Sequence, residues 1–334
     1  MVDTPVSVSV LNLGPIRQGQ GPKEAIDDMV RLAQAVEELG YKRYWIAEHH
    51  NTPTLVSAAT VILIKHTLEH TKKIRVGSGG IMLPNHSPLV VAEQFGTMAH
   101  LYPDRLDLGL GRAPGTDMLT ASVIRRSHDH DSVHSFPKDI QDLLRYFGPE
   151  EVQGYVKANI AIGTQVPLYI LGSTPDSAVL AAKLGLPYAF ASHFAPFYME
   201  EAIEVYRREF QPSQYLADPY MIVCLNVIAA ESDEEAMREL TTMQQLFLNI
   251  SRGEHKLLAP PIDNIDQLLT PQEKAEIESK IRMTFVGSKE SIRQQFTQFQ
   301  AKYNVDEIMA VTYIYDQDKQ IRSYQIFKEV VEGR

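Results

Sequence analysis

Glu48-His49-His50-Asn51 sets an acid, two imidazoles and an amide at the end of one apolar run, Arg43–Ala47. Imidazoles can hold or move a proton near neutral pH, so this is a candidate acid–base site. Neighbours in an extended segment diverge, so at most one of His49 and His50 faces a common pocket. A second run, KIRVGSGGIMLPNHSP, meets Gly77, Gly79 and Gly80. The Gly79-Gly80 pair reads as a bulge or bend, or as backbone crowded by a ligand. A third run, RLDLGLGRAPGTD, ends at Arg112, whose forked guanidinium suits phosphate. Further on, Leu171 leads into Gly172-Ser173-Thr174-Pro175-Asp176-Ser177. There a strand pattern turns at Gly172 and a helix opens, with free N–H groups, hydroxyls and a helix dipole able to hold an anion. Plain N-capping by Ser or Thr is the alternative; Arg112, one strand earlier, tips the reading towards phosphate.

Other constellations read as structure. His66-Thr-Leu-Glu-His70 matches the inverted zinc-peptidase pattern. Its helix leads towards the start of the next strand, and a solvated face beside Lys65, Lys72 and Lys73 is the better reading. His128, His130 and His134 lie in a polar stretch with no second ligand cluster, so no metal is expected. Gly109, Gly111 and Gly115 depart from the dinucleotide fingerprint. The single cysteine, Cys224, sits in MIVCLNVIAA and reads as a buried strand residue; no disulfide can form within the chain.

Strand and helix patterns alternate around these groups. Strands are expected at Val6–Leu11, Tyr44–Ala47, from Ile74, at Leu106–Leu110, Pro167–Leu171, Tyr188–Ala191, Tyr220–Ala229 and Glu307–Tyr313. Helices are expected at Lys23–Gly40, Ser57–Thr71 (with Ser57 as cap), Leu89–Leu101, Pro175–Leu184, Pro196–Phe210 and Lys319–Glu332. Buried apolar strands with helices between them specify an α/β fold with parallel pairing. Eight successive units with no linker favour a (β/α)8 TIM barrel over an open doubly wound sheet. It would be one domain, 1–334, with insertions after strands 4 and 7 at about 113–165 and 232–280. Chemistry would then sit at the carboxyl ends of the strands. The net charge of −10 argues against a nucleic-acid partner. No apolar stretch is long enough for a membrane span, and MVDTPVSVSV lacks a signal-peptide pattern, so the cytoplasm is the expected compartment.

Ala47–Asn51, Val76–His86, Ala92–Phe95 and Asp107–Asp117 together resemble the bacterial luciferase-like, flavin-dependent monooxygenase family. The similarity continues through Leu171–Ser177, Gly185–Phe194 and Phe285–Ser288. The resemblance implies a TIM barrel binding FMN, whose reduced form reacts with O2 through a C4a-peroxyflavin to oxygenate a small organic substrate. It assigns Arg112, Gly172, Ser173, Thr174 and Ser177 to the flavin phosphate, a cis Gly79–Gly80 peptide to the ring, and His49 to catalysis. A separate flavin reductase and a homodimer, paired through the helices after strands two and three, are also implied. F420-dependent hydride transfer, as in related barrels, and non-catalytic flavin binding are the alternatives. Asn12–Gly14 and Thr52–Ser57 depart from the family pattern on the expected substrate side, so the substrate is not implied.

Overall fold

The computed structural model describes residues 6–125 and 135–334. His128, His130 and His134 lie outside them. Nine parallel strands form one sheet: β1 Ser7–Asn12, β2 Arg43–Ile46, β3 Arg75–Met82, β4 Leu106–Gly111, β5 Leu168–Gly172, β6 Tyr188–Phe190, β7 Met221–Ala229, β8 Thr284–Gly287 and β9 Glu307–Val311. Pairing runs from β1 through β7 in order, then β7 to β9 and β9 back to β1. Those eight strands close a TIM barrel.

The sequence reading of eight units is correct for the barrel, and β8 is an addition to it. Strand β7 is long enough to fork. Its first half, Ile222–Asn226, pairs with β9, and Asn226–Ala229 pairs with β8. The excursion between β7 and β9 carries three helices as well: Asp233–Ser251, Pro271–Ile281 and Lys289–Tyr303.

In chain order the helices are α1 Pro22–Glu38, α2 Thr60–His70, α3 Pro88–Leu101, α4 Met118–Arg125, α5 Phe136–Phe147, α6 Pro175–Leu184, α7 Met199–Glu209, the three just given as α8 to α10, and α11 Gln317–Val331. Local signals set several ends. Pro175 opens α6, and Gly185, at φ +61°, stops it in the left-handed conformation. Helix α2 starts later than expected: Ala59, not Ser57, is its N-cap. Backbone bonds from Val56 to Gly14 and from His49 to Ser57 pin the preceding segment over the ends of β1 and β2. The chain is therefore not free to coil before Thr60, whose hydroxyl bonds the Ala47 carbonyl.

The amino end of the barrel is closed by charge rather than by hydrocarbon. Arg43, 2% exposed, donates to both carboxylate oxygens of Glu307, to Asp107 and to the Tyr169 hydroxyl. Arg75 and the Trp45 indole also donate to Asp107, and Tyr220 donates to Glu307. Burial alone would raise the Asp107 pKa, but Arg43 and Arg75 outweigh it and hold it below the usual range. This network fills the barrel interior at its amino end.

Of the other candidates, the Glu69 carboxylate pairs with Lys65, and His70 Nδ1 lies 2.8 Å from the His66 carbonyl. Among the described residues no helix is long and apolar enough to cross a membrane.

Candidate active site

At the carboxyl end of the barrel lies a cavity of about 310 Å³. All eight barrel strands, or the segments just after them, contribute to its wall. Leu11 and Leu13 come from β1, Trp45, Ala47 and His49 from β2, and Gly79 and Met82 from β3. Arg112 follows β4, Gly172 to Ser177 follow β5, His193 follows β6, and Cys224 and Met309 lie on β7 and β9. The wall is mostly apolar. Of the sequence candidates, His49, Gly79, Arg112, Gly172, Ser173, Thr174 and Ser177 all border this one space. Gly80 does not; a Cβ there would lie 2.7 Å from the Gly109 carbonyl oxygen.

The diglycine is an irregularity in its strand, the first of the readings made of it. The β3–β4 register shifts between Ser78 and Ile81, so the pair is a bulge, and its peptide bond is cis. Gly79 also faces the cavity. A Cβ on it would strike Leu11 at 2.6 Å, so the barrel wall has no room for a side chain there.

At the rim, Arg112 makes no hydrogen bond or ion pair with the described residues and is exposed. Beside it, α6 begins. Its N-cap Thr174 makes no side-chain capping bond, so plain capping does not account for this hydroxyl. Ser177 is engaged differently. Its hydroxyl bonds the Thr174 carbonyl at 2.8 Å and the Tyr188 hydroxyl at 3.0 Å, which fixes the turn from below. Gly172 lets that hydroxyl approach, since a Cβ there would sit 1.8 Å from Ser177 Oγ.

His49 lines the cavity with Nδ1 buried and without a partner. Burial lowers its pKa, and the nearby Glu48 carboxylate only partly offsets this, so the imidazole is kept neutral. His50 is not on this wall, and its ring bonds Glu48. Both histidines line an adjoining space, so the expectation that only one would face a common pocket holds for the main cavity alone.

His50 belongs to a cluster that the sequence did not disclose. Glu48, 1% exposed, accepts from Nε2 of His50 and from Nε2 of His86, both at 2.8 Å on the same oxygen. Its other oxygen accepts from the Met82 backbone N–H at 2.9 Å. An ionised carboxylate only accepts, so both imidazoles present Nε2–H. Burial would raise the Glu48 pKa, but the bonds from His50 and His86, the His86 charge and the Met82 N–H hold it down to about 2. The cluster ties the end of β2 to the end of β3 and so fixes the backbone beside His49. A pKa depressed in the fold adds stability above the unfolded value of 4.5, and this is lost as pH falls towards 2. Glu48→Gln is accordingly expected to lower stability at neutral pH by about 1–3 kcal/mol. The gap to wild type should narrow as the medium is acidified through that window. Urea melts at several pH values check this; a gap independent of pH would refute it.

A second space of about 450 Å³ adjoins the first and shares Leu13, His49 and Gly115 with it. Its wall includes Asn51, Thr52, Asn249, His255 and Tyr313, from the β2 loop, the end of α8 and the segment after β9. His49 thus stands between the two.

The profile of the luciferase-like monooxygenase family matches residues 6–303. The chain is 51% identical to the uncharacterized protein YddN of Bacillus subtilis, over 97% of this chain and 96% of that one. It is 43% identical to a luciferase-like monooxygenase of Escherichia coli K12, over 99% of both. Among solved structures, apo-MsnO8 superposes with a TM-score of 0.91 at 34% identity, covering 98% of each chain. On a family match across nearly its whole length, and on relatives this similar, the chain belongs to the luciferase-like monooxygenase family.

Proposed function

We propose that this chain is a flavin-dependent monooxygenase that uses reduced FMN and O2 to oxygenate a small organic substrate. One observation carries the reading: the free guanidinium of Arg112, the uncapped start of α6 and His49 border a single apolar cavity. These residues fit FMN at both ends. Arg112, the N–H groups at the start of α6 and the hydroxyls of Ser173 and Thr174 would hold the phosphate. Leu11, Trp45, Ala189 and Phe190 give the ring an apolar wall, and buried ring nitrogens of His49 and His193 await partners.

When bound, the flavin supplies the redox chemistry with O2; the protein supplies position and proton management. His49, held neutral, can accept or donate a proton at the cavity wall. The apolar walls keep water from the reacting groups. The adjoining space beyond His49 has room for the organic substrate. A separate reductase would supply reduced FMN. The chain would act as a cytoplasmic homodimer through α2 and α3, where Ile62, Val90 and Leu101 are exposed.

Two proteins that share the fold at 15% identity were solved with different cofactors. The oxygenating constituent of 3,6-diketocamphane monooxygenase holds FMN, and a secondary alcohol dehydrogenase holds an F420–acetone adduct. F420 has the longer anionic tail and calls for several cations. Arg112 is the only Lys or Arg lining this cavity among the described residues, which favours FMN. Titration of both cofactors separates the readings. Arg112→Ala is expected to weaken FMN binding about tenfold to a hundredfold, the scale of a lost charge-assisted bond. Wild-type protein with no FMN affinity at hundreds of micromolar, or with a preference for F420, would reject the proposal.

A further inference from the structure

His193 is the unexplained group in the cavity. It is 6% exposed, it lines the wall, and its Nδ1 is buried with no hydrogen-bond partner. Its placement mirrors that of His49. His49 is the third residue beyond the end of β2, and His193 the third beyond the end of β6. In the ring β1-β2-β3-β4-β5-β6-β7-β9, strands β2 and β6 are four steps apart either way round. The two imidazoles therefore come from opposite walls into one space, each with an unmade hydrogen bond at Nδ1. Leaving two buried polar atoms unsatisfied is costly, and no described residue partners either. Both rings border the cavity, so a ligand lying between them meets an imidazole on each side.

We propose that His193 is a further ligand-contacting residue, opposed to His49 across the cavity, and that the two imidazoles hold opposite edges of the anionic reduced ring of a flavin. The inference rests on the flavin reading above. Its chemical consequence is proton uptake. Burial, with His49 facing it, pushes the His193 pKa down to about 3, so the side chain is neutral in the absence of ligand. The other titratable groups on the wall are His49, Cys224 and Arg112, and no carboxylate lines it, so nothing on the wall favours an imidazolium at His193; Glu48, behind the wall, favours one only at His49. An anionic ring would supply the missing counter-charge, and a proton would be taken from solvent on binding. A neutral oxidised ring would supply none.

The test is calorimetric titration at about pH 8, where both imidazoles start neutral. Oxidised FMN and, anaerobically, reduced FMN are added in two buffers of different ionisation enthalpy. The difference in heat between the buffers counts protons. Wild type is expected to take up more protons with reduced than with oxidised FMN. That excess should fall by half or more in both His193→Gln and His193→Phe, and affinity for reduced FMN should fall more than affinity for oxidised FMN. Equal uptake for the two redox forms in wild type, or an excess unchanged in the variants, overturns the role of His193 and leaves the flavin reading intact. Variants that lose both forms alike show a merely structural residue and also overturn it. Wild type that binds neither form overturns both proposals.

Discussion

Arg43→Ala is expected to lower the stability of the barrel by about 3–5 kcal/mol, enough to unfold much of a marginally stable protein. The loss comes from the charges left behind. Asp107 and Glu307 are both fully buried, and Arg43 bridges them through four hydrogen bonds that also reach Tyr169. Arg75 would still serve Asp107, and Tyr220 would still serve Glu307, but neither spans the barrel. Arg43→Lys is expected to recover only part of the loss. An ammonium is a compact donor and cannot match a fork that grips one carboxylate with two nitrogens and reaches another. Thermal or urea melts measure it. An Arg43→Ala protein as stable as wild type would show that the network contributes nothing to holding the amino end closed.

The second large effect is chemical. Changing His49 to Ala is expected to alter the reaction of bound reduced flavin with O2 by about 10²–10⁴-fold, the range for loss of a positioned acid–base group. Stopped-flow reoxidation of reduced FMN reads this without a known substrate. The wild-type trace should differ from that of free flavin, and the His49→Ala trace should return towards it at FMN concentrations that saturate the variant. Identical traces for wild type and free flavin would point to a flavin binder rather than an enzyme. His50→Ala separates chemistry from position. His50 bonds Glu48 and does not line the main cavity, so it should act on stability more than on reoxidation.

The sequence made the barrel and much of the site legible, for local reasons. Strands β4 and β7 are unbroken buried runs, and α6 is bracketed by Pro175 and Gly185. The polar ends of β2, β4 and β5 could be recognised because each interrupts such a run. Interactions distant along the chain could not. Nothing near Glu48 reveals that His86 will share its oxygen, nor does Arg43 disclose Glu307. A signal existed in Asp107 and Glu307, each a charge set in an apolar strand, where burial demands a partner. His193 carried less signal. It follows the apolar YAFAS, and only closure of the barrel sets it opposite His49. Strand β8 was missed because Thr284–Gly287 is short and ends in glycine; it exists because the forked end of β7 offers it an edge.

The account stands on the claim that one cavity gathers phosphate-binding groups at its rim and imidazoles at the ring edges of the same flavin. A crystal structure of the protein soaked with FMN tests this most directly. The account predicts phosphate density between Arg112 and the start of α6, with the ring system beside Gly79 and in contact with His49 and His193. Flavin lodged elsewhere, or a cavity left free of it at saturating FMN, would contradict the claim.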